Sequence, residues 1–135
     1  MNRDIKYRVW DVEDKLWVEN PWKFHLECDG SFHTYQQNLY EKNWEYEQVR
    51  YEFYVVQMFT GMTDKNGKDI YEGDIIRIRY KMDEHGDCEE EEIGPVYFEH
   101  GAFGTKNDWF CNWLFALSVS FEVIGNIFEN KELLK

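Results

Sequence analysis

Four carboxylates fall close together in this chain: Asp64, Asp69, Glu72 and Asp74 occupy two adjoining turn-like stretches. Oxygen donors at that spacing suit a divalent cation. The same stretches contain Asn66-Gly67 and Gly73, and Asp with Gly is also what tight turns need for backbone reasons, because Asp side chains accept from nearby N–H groups. The turn reading outweighs the metal reading. Zinc fares worse. His85, Asp87 and Cys88 lie close together, with His100 and Cys111 further on, which makes one loose pair where a zinc site uses two paired sets. A Cys–His nucleophile has no flanking signature here. Ser31, Ser118 and Ser120 form no nucleophile elbow, and no strand-to-helix glycine loop cradles phosphate. The residues therefore predict no catalytic centre, no metal site and no cofactor.

Charge is the other candidate for chemistry. Residues 83–92 place seven carboxylates in ten positions: Asp83, Glu84, Asp87, Glu89, Glu90, Glu91 and Glu92. Self-repulsion and the lack of apolar groups predict a solvated, mobile connection, exposed enough to meet a protein partner. Arg77, Arg79 and Lys81 alternate with apolar residues and share the outward face of one predicted strand. With aromatic residues at 19% of the chain, that row offers a second reading: a stacking platform for single-stranded nucleic acid. Asp and Glu number 27 against 15 Lys and Arg, a net charge of −12, which opposes phosphate and anionic lipid alike. The aromatics read better as core.

The elements that must position these residues are mostly strands. Residues 5–19 alternate apolar and charged positions around Asp11-Val12-Glu13-Asp14-Lys15, which predicts a hairpin. Asp29-Gly30 signals a turn and residues 32–35 a short strand, whereas residues 36–48 admit a short helix or an ordered loop. Residues 51–60 are a run of β-formers that Gly61 should stop. Residues 75–80 alternate with Ile76, Ile78 and Tyr80 inward, 95–100 return as a strand, and Gly101 with Gly104 should bracket a turn. Residues 114–117 fit a strand or one helical turn. Residues 121–128 read as a last strand in which Gly125 marks a bulge or a close backbone approach. The tail at residues 129–134 reads as Asn-capped and marginally helical.

Together these predict a mainly β domain over residues 1–135, with a β-rich α+β fold as the alternative. An N-terminal β region covers 5–50, and a small SH3-like barrel or coiled antiparallel sheet covers 51–135. Cys28, Cys88 and Cys111 are odd in number at spacings of 60 and 23, so three reduced thiols are expected. No apolar run approaches the ~18 residues of a membrane span, and the opening residues do not read as a signal peptide. A cytoplasmic protein with no membrane partner is expected.

Three segments carry a family resemblance. Ile5-Lys6-Tyr7-Arg8-Val9-Trp10-Asp11 resembles the opening "IKFRAWD" of the YopX family of bacteriophage- and prophage-encoded proteins. Residues 57–76 are similar to its central "QYTGLKDKNGKEIYEGDIV", and Glu122-Val123-Ile124-Gly125-Asn126-Ile127-Phe128-Glu129-Asn130 to its closing "EVIGNIYENPELL", which Leu133-Leu134 continue. The chain departs from the pattern at Lys131, where the family has proline, in the aromatic segment at 20–50 and in the acidic stretch. The resemblance implies a phage-associated β-rich fold with no established biochemical activity and no catalytic motif to carry over.

Two classes of function follow. The first is a non-enzymatic interaction protein that meets an unknown host or phage protein through its acidic surface. The alternative is a nucleic-acid-binding β-barrel module using Arg77, Arg79 and Lys81. Sheet edges and the aromatic excess also favour self-association.

Overall fold

The structure, a computed structural model, describes residues 5–19, 24–26, 32–38, 43–48, 54–81, 89–106, 109–110 and 118–134. Among them lie twelve β-strands and one short 3-10 helix, and no α-helix, as the β-rich reading expects. The chain divides into two compact units, Tyr7–Gln57 and a second made of Met1–Lys6 with Met58–Lys135.

In the first unit, β1 (Tyr7–Asp11) and β2 (Leu16–Trp17) form the expected hairpin, with Trp10 opposite Trp17. The Asp11 carboxylate accepts from the amides of Glu13 and Asp14 at 3.0 and 2.9 Å, which ties the turn to the strand end. Trp10 and Trp17 meet edge-on at 4.9 Å, and the Arg8 guanidinium lies 4.2 Å from the Trp17 ring centre. Arg8 also donates twice to Gln57 Oε1, at 2.8 and 3.0 Å, which satisfies an amide that is otherwise buried. Val9 is wholly buried among Tyr7, Val18, Tyr54 and Val56.

The same unit holds a three-stranded antiparallel sheet of β3 (Phe24–Leu26), β4 (Phe32–Asn38) and β5 (Asn43–Gln48). This corrects the expectation of a helix or loop over 36–48, because Asn38 pairs with Asn43 and His33 with Gln48 across one continuous register. Trp44-Glu45-Tyr46-Glu47 does carry a period of two, the strand signal.

The second unit begins partway along β6 (Tyr54–Thr63), whose later residues pair with β7 (Asp69–Tyr71). Gly61 does not stop β6. It takes φ +87° and absorbs a bulge between the pairs Phe59–Tyr71 and Thr63–Asp69. The Thr60 hydroxyl closes that bulge, donating to Ile70 O at 2.7 Å and accepting from the Met62 amide at 3.1 Å.

β8 (Asp74–Lys81) is central to an antiparallel sheet, flanked by β12 (Ser118–Asn126) and β9 (Glu90–Pro95). Ile76, Ile78 and Tyr80 are buried as expected, and with Ile70, Val96 and Phe110 they make the core. Met62, Phe103, Val119, Phe121 and Val123 close around it.

β10 (Tyr97–Glu99) and β11 (Ala102–Gly104) form a tight hairpin. Its two loop residues, His100 and Gly101, both have positive φ (51° and 79°), the geometry of the primed two-residue turn that matches strand twist. The turn is therefore at 100–101, and Gly104 belongs to the strand rather than bracketing the turn. The 3-10 helix Lys131–Leu134 is the last described element, in line with the short helical tail expected there.

Candidate functional site

The carboxylates at positions 64–74 are engaged with the backbone and with one ammonium group. Asp64 Oδ1 accepts from the amides of Asn66 and Lys68 at 2.8 and 2.9 Å, while Oδ2 accepts from the Val123 amide at 3.0 Å. Burial alone would raise this carboxyl's pKa, but the three N–H groups and Lys68 outweigh it and hold the group below the usual Asp range. Glu72 Oε1 accepts from the Met58 amide at 2.8 Å, and Asp74 Oδ2 accepts from the Tyr71 amide at 2.8 Å. Asp69 pairs with Lys6 at 3.2 Å. Gly67 and Gly73 both have φ +80°, as turn residues should. These contacts make the stretch a brace for the backbone: each of the four carboxylates already has a hydrogen-bond donor.

The charged residues give a different picture. Glu90, Glu91 and Glu92 do not belong to a solvated connection. They open strand β9, in register with Tyr80, Arg79 and Ile78. A strand alternates its faces, so Glu91 lies beside Arg79 on the outer face, whereas Glu90 and Glu92 lie on the side of Tyr80 and Ile78. Charge run and basic row are thus two neighbouring strands of one sheet, a pairing that satisfies the repulsion which had predicted a loop. Asp83, Glu84 and Asp87 lie outside the described residues.

On the outer face an alternating ladder crosses the sheet. Lys65 Nζ lies 3.3 Å from Glu122 Oε2, and Arg77 reaches the same oxygen at 3.2 Å. Arg77 Nε is 3.7 Å from Glu91 Oε2, and Arg79 Nε donates to that oxygen at 2.8 Å. Lys65, then Arg77, hold the Glu122 carboxyl below its ordinary range, and Glu91 raises the Arg79 guanidinium further. Positive and negative groups alternate through five residues, four on three strands and Lys65 in the turn after β6. Arg77 and Arg79 share the outward face as expected, but their charge is directed at carboxylates of this chain.

On the other face the Tyr80 phenol donates its one proton to Glu90 Oε2 at 2.8 Å, with Glu92 Oε1 a more distant neighbour at 3.3 Å. The hydrogen bond to Glu90, with burial and the two negative charges, pushes its pKa up to about 12. Glu92 Oε2 is buried with no hydrogen-bond partner. Sequence reasoning missed Lys65, Tyr80 and Glu122 as members of this arrangement, since only the strand register brings them to the row.

Among the described residues no group of three or more His, Cys, Asp or Glu is placed to hold a metal ion. His85, Cys28, Cys88 and Cys111 lie outside the described residues, as do Asp29-Gly30 and residues 114–117. No helix among the described residues is long and apolar enough to cross a membrane.

The sequence model of the YopX family, described as YopX protein, matches residues 6–135. No curated protein matches the chain. Among solved structures it is similar to protein EF1440 from Enterococcus faecalis, at 26% identity and TM-score 0.60, with 99% of this chain and 100% of that one covered. It is also similar to protein yopX from Bacillus subtilis, at 20% identity and TM-score 0.59, with 99% and 98% covered. The second likeness is one of fold alone.

Proposed function

This chain belongs to the YopX family, and we propose that it is a non-enzymatic interaction protein that meets a basic protein partner along the acidic edge strand β9. One observation carries the reading. Glu89 and Glu90 are exposed in succession at the start of a strand that, among the described residues, pairs on one side only, and unlike Glu91 neither forms an ion pair there. Carboxylates held on a strand keep a fixed spacing, which favours encounter with a complementary basic surface. The nucleic-acid reading loses support from the same sheet, because Glu91 and Glu122 already neutralise Arg77 and Arg79. On this proposal the protein is phage- or prophage-encoded and works in the cytoplasm of the bacterial host.

The test is affinity capture from nuclease-treated host lysate, run beside a gel-shift titration with single-stranded DNA at two salt concentrations. The reading expects a basic protein to be captured and no DNA shifted at physiological salt. Micromolar, salt-sensitive DNA binding that is lost with Arg77→Ala and Arg79→Ala would overturn it.

A further inference from the structure

Strand β9 and the C-terminal 3-10 helix frame a groove of about 420 Å³, lined by residues 92–95 with Tyr97, Leu133 and Leu134. Side chains of successive strand residues point to opposite faces. A groove lined by four of them in a row therefore follows the edge of the strand and not either face. Among the described residues this edge pairs with no further strand, and an extended peptide can add to such an edge. Pro95, which has no N–H, ends the row of donors.

The side chains around this edge are unusually apolar for a surface. Ile93 is 46% exposed, Tyr97 43%, Leu133 37% and Leu134 43%. Just before them stand the exposed carboxylates of Glu89, Glu90 and Glu91. The lining also carries Lys106, which keeps cationic groups toward the 89–92 side.

We infer that this edge groove takes an extended segment of a partner protein, added as a strand to β9. Its Lys or Arg side chains lie beside residues 89–92, and its aliphatic side chains lie over Ile93, Tyr97, Leu133 and Leu134. The inference rests on the interaction reading above and specifies where and in what form the partner binds.

The probe is the peptide acetyl-Lys-Arg-Lys-Val-Ile-Val-amide, with its reversed sequence, titrated into the 15N-labelled full chain. Controls are a version with Glu at the basic positions and one with alternate amides N-methylated. Amide signals of Ile93, Gly94, Tyr97, Leu133 and Leu134 should shift for one or both basic peptides, with affinity in the range of about 10–100 μM. Leu134→Asp should weaken binding at least about tenfold while the melting temperature stays unchanged. N-methylation should abolish binding, because it removes the strand hydrogen bonds.

Absence of shifts with both basic peptides, equal binding of the acidic one, undiminished binding of the N-methylated one, or shifts confined to other surfaces would overturn the inference. So would a dimer in solution that Leu134→Asp dissociates. If the lysate experiment captures a basic protein equally well with the Leu134→Asp variant, the groove is wrong and the acidic-strand reading stands. If nothing basic is captured by either form, the acidic-strand reading itself fails.

Discussion

The amide of Val123 donates to the buried carboxylate of Asp64 at 3.0 Å across 59 positions of sequence. This bond joins the central family-like segment to the closing one. Ile127 N reaches Gly73 O at 2.9 Å, Lys65 N reaches Phe121 O, just before the closing segment, at 2.9 Å, and residues 74–76 pair with residues 123–126 in the sheet. The residues that carry the resemblance are, in this unit, the frame that places β8 between its neighbours.

Removing Asp64 should therefore cost more than any turn residue usually does. Asp64→Ala strands three backbone donors, and a loss of about 2–4 kcal/mol is expected in urea unfolding. Asp64→Asn should lose less, since Oδ1 survives in kind. Because the folded pKa lies below the unfolded one, the ionised group's contribution is present above the ordinary Asp value of 3.8 and is lost as pH falls through the lower, folded value. Acid unfolding of Asp64→Asn should lack that component.

Gly125 is required for a different reason. A Cβ built there would sit 2.6 Å from Asn130 Oδ1 and 2.8 Å from Asn130 Cβ, beside a register shift in β12. Asn130 is held in place, since its Oδ1 accepts from the Asn126 amide at 3.2 Å and its own amide donates to Asn126 O at 3.0 Å. Gly125→Ala should destabilise by about 1–3 kcal/mol. In an Asn130→Gly background the same substitution should cost distinctly less, and additive losses in thermal melts would refute the close-approach account.

That Gly125 marks a bulge or a close backbone approach was legible in the sequence, and the structure shows the bulge with a side chain, Asn130, as the close neighbour; the first hairpin and the inward set of Ile76, Ile78 and Tyr80 were legible too. Those signals are local: turn chemistry and a period of two. The acidic stretch misled because composition reports repulsion within a segment and not compensation from its neighbour. Arg79 answers Glu91 only once a register of β8 against β9 is known, and single-strand periodicity does not encode register. Gly61 misled similarly, since a positive-φ glycine ends a strand or bulges it according to what lies across from it.

Alkaline titration tests the inner side of that pairing. The Tyr80 phenol titrates at about 12 in the fold against an ordinary value of 10.0. The unfolded chain gives up this proton first, so the contribution is complete below about pH 10 and disappears as pH climbs toward 12. Tyr80→Phe should flatten this part of the stability–pH curve, and an unchanged slope would show that the Glu90 contact does not form.

Replacing residues 83–88 by a Gly-Ser linker should alter the melting temperature less than replacing residues 83–92. The longer replacement removes Glu91 from Arg79 and Glu90 from Tyr80 and deletes the start of β9. Equal melting temperatures for the two chimaeras would contradict the placement of residues 90–92 in the sheet.

The central claim is that the acidic start of β9 recognises a basic protein. It is tested most directly by the association rate of the captured partner with wild-type chain and with Glu89→Gln, measured by surface plasmon resonance at low and physiological salt. Charges at an interface rim act chiefly on encounter. The account predicts slower association for the variant, a difference that shrinks with added salt, and a dissociation rate altered far less. Identical association rates at both salt concentrations would contradict it.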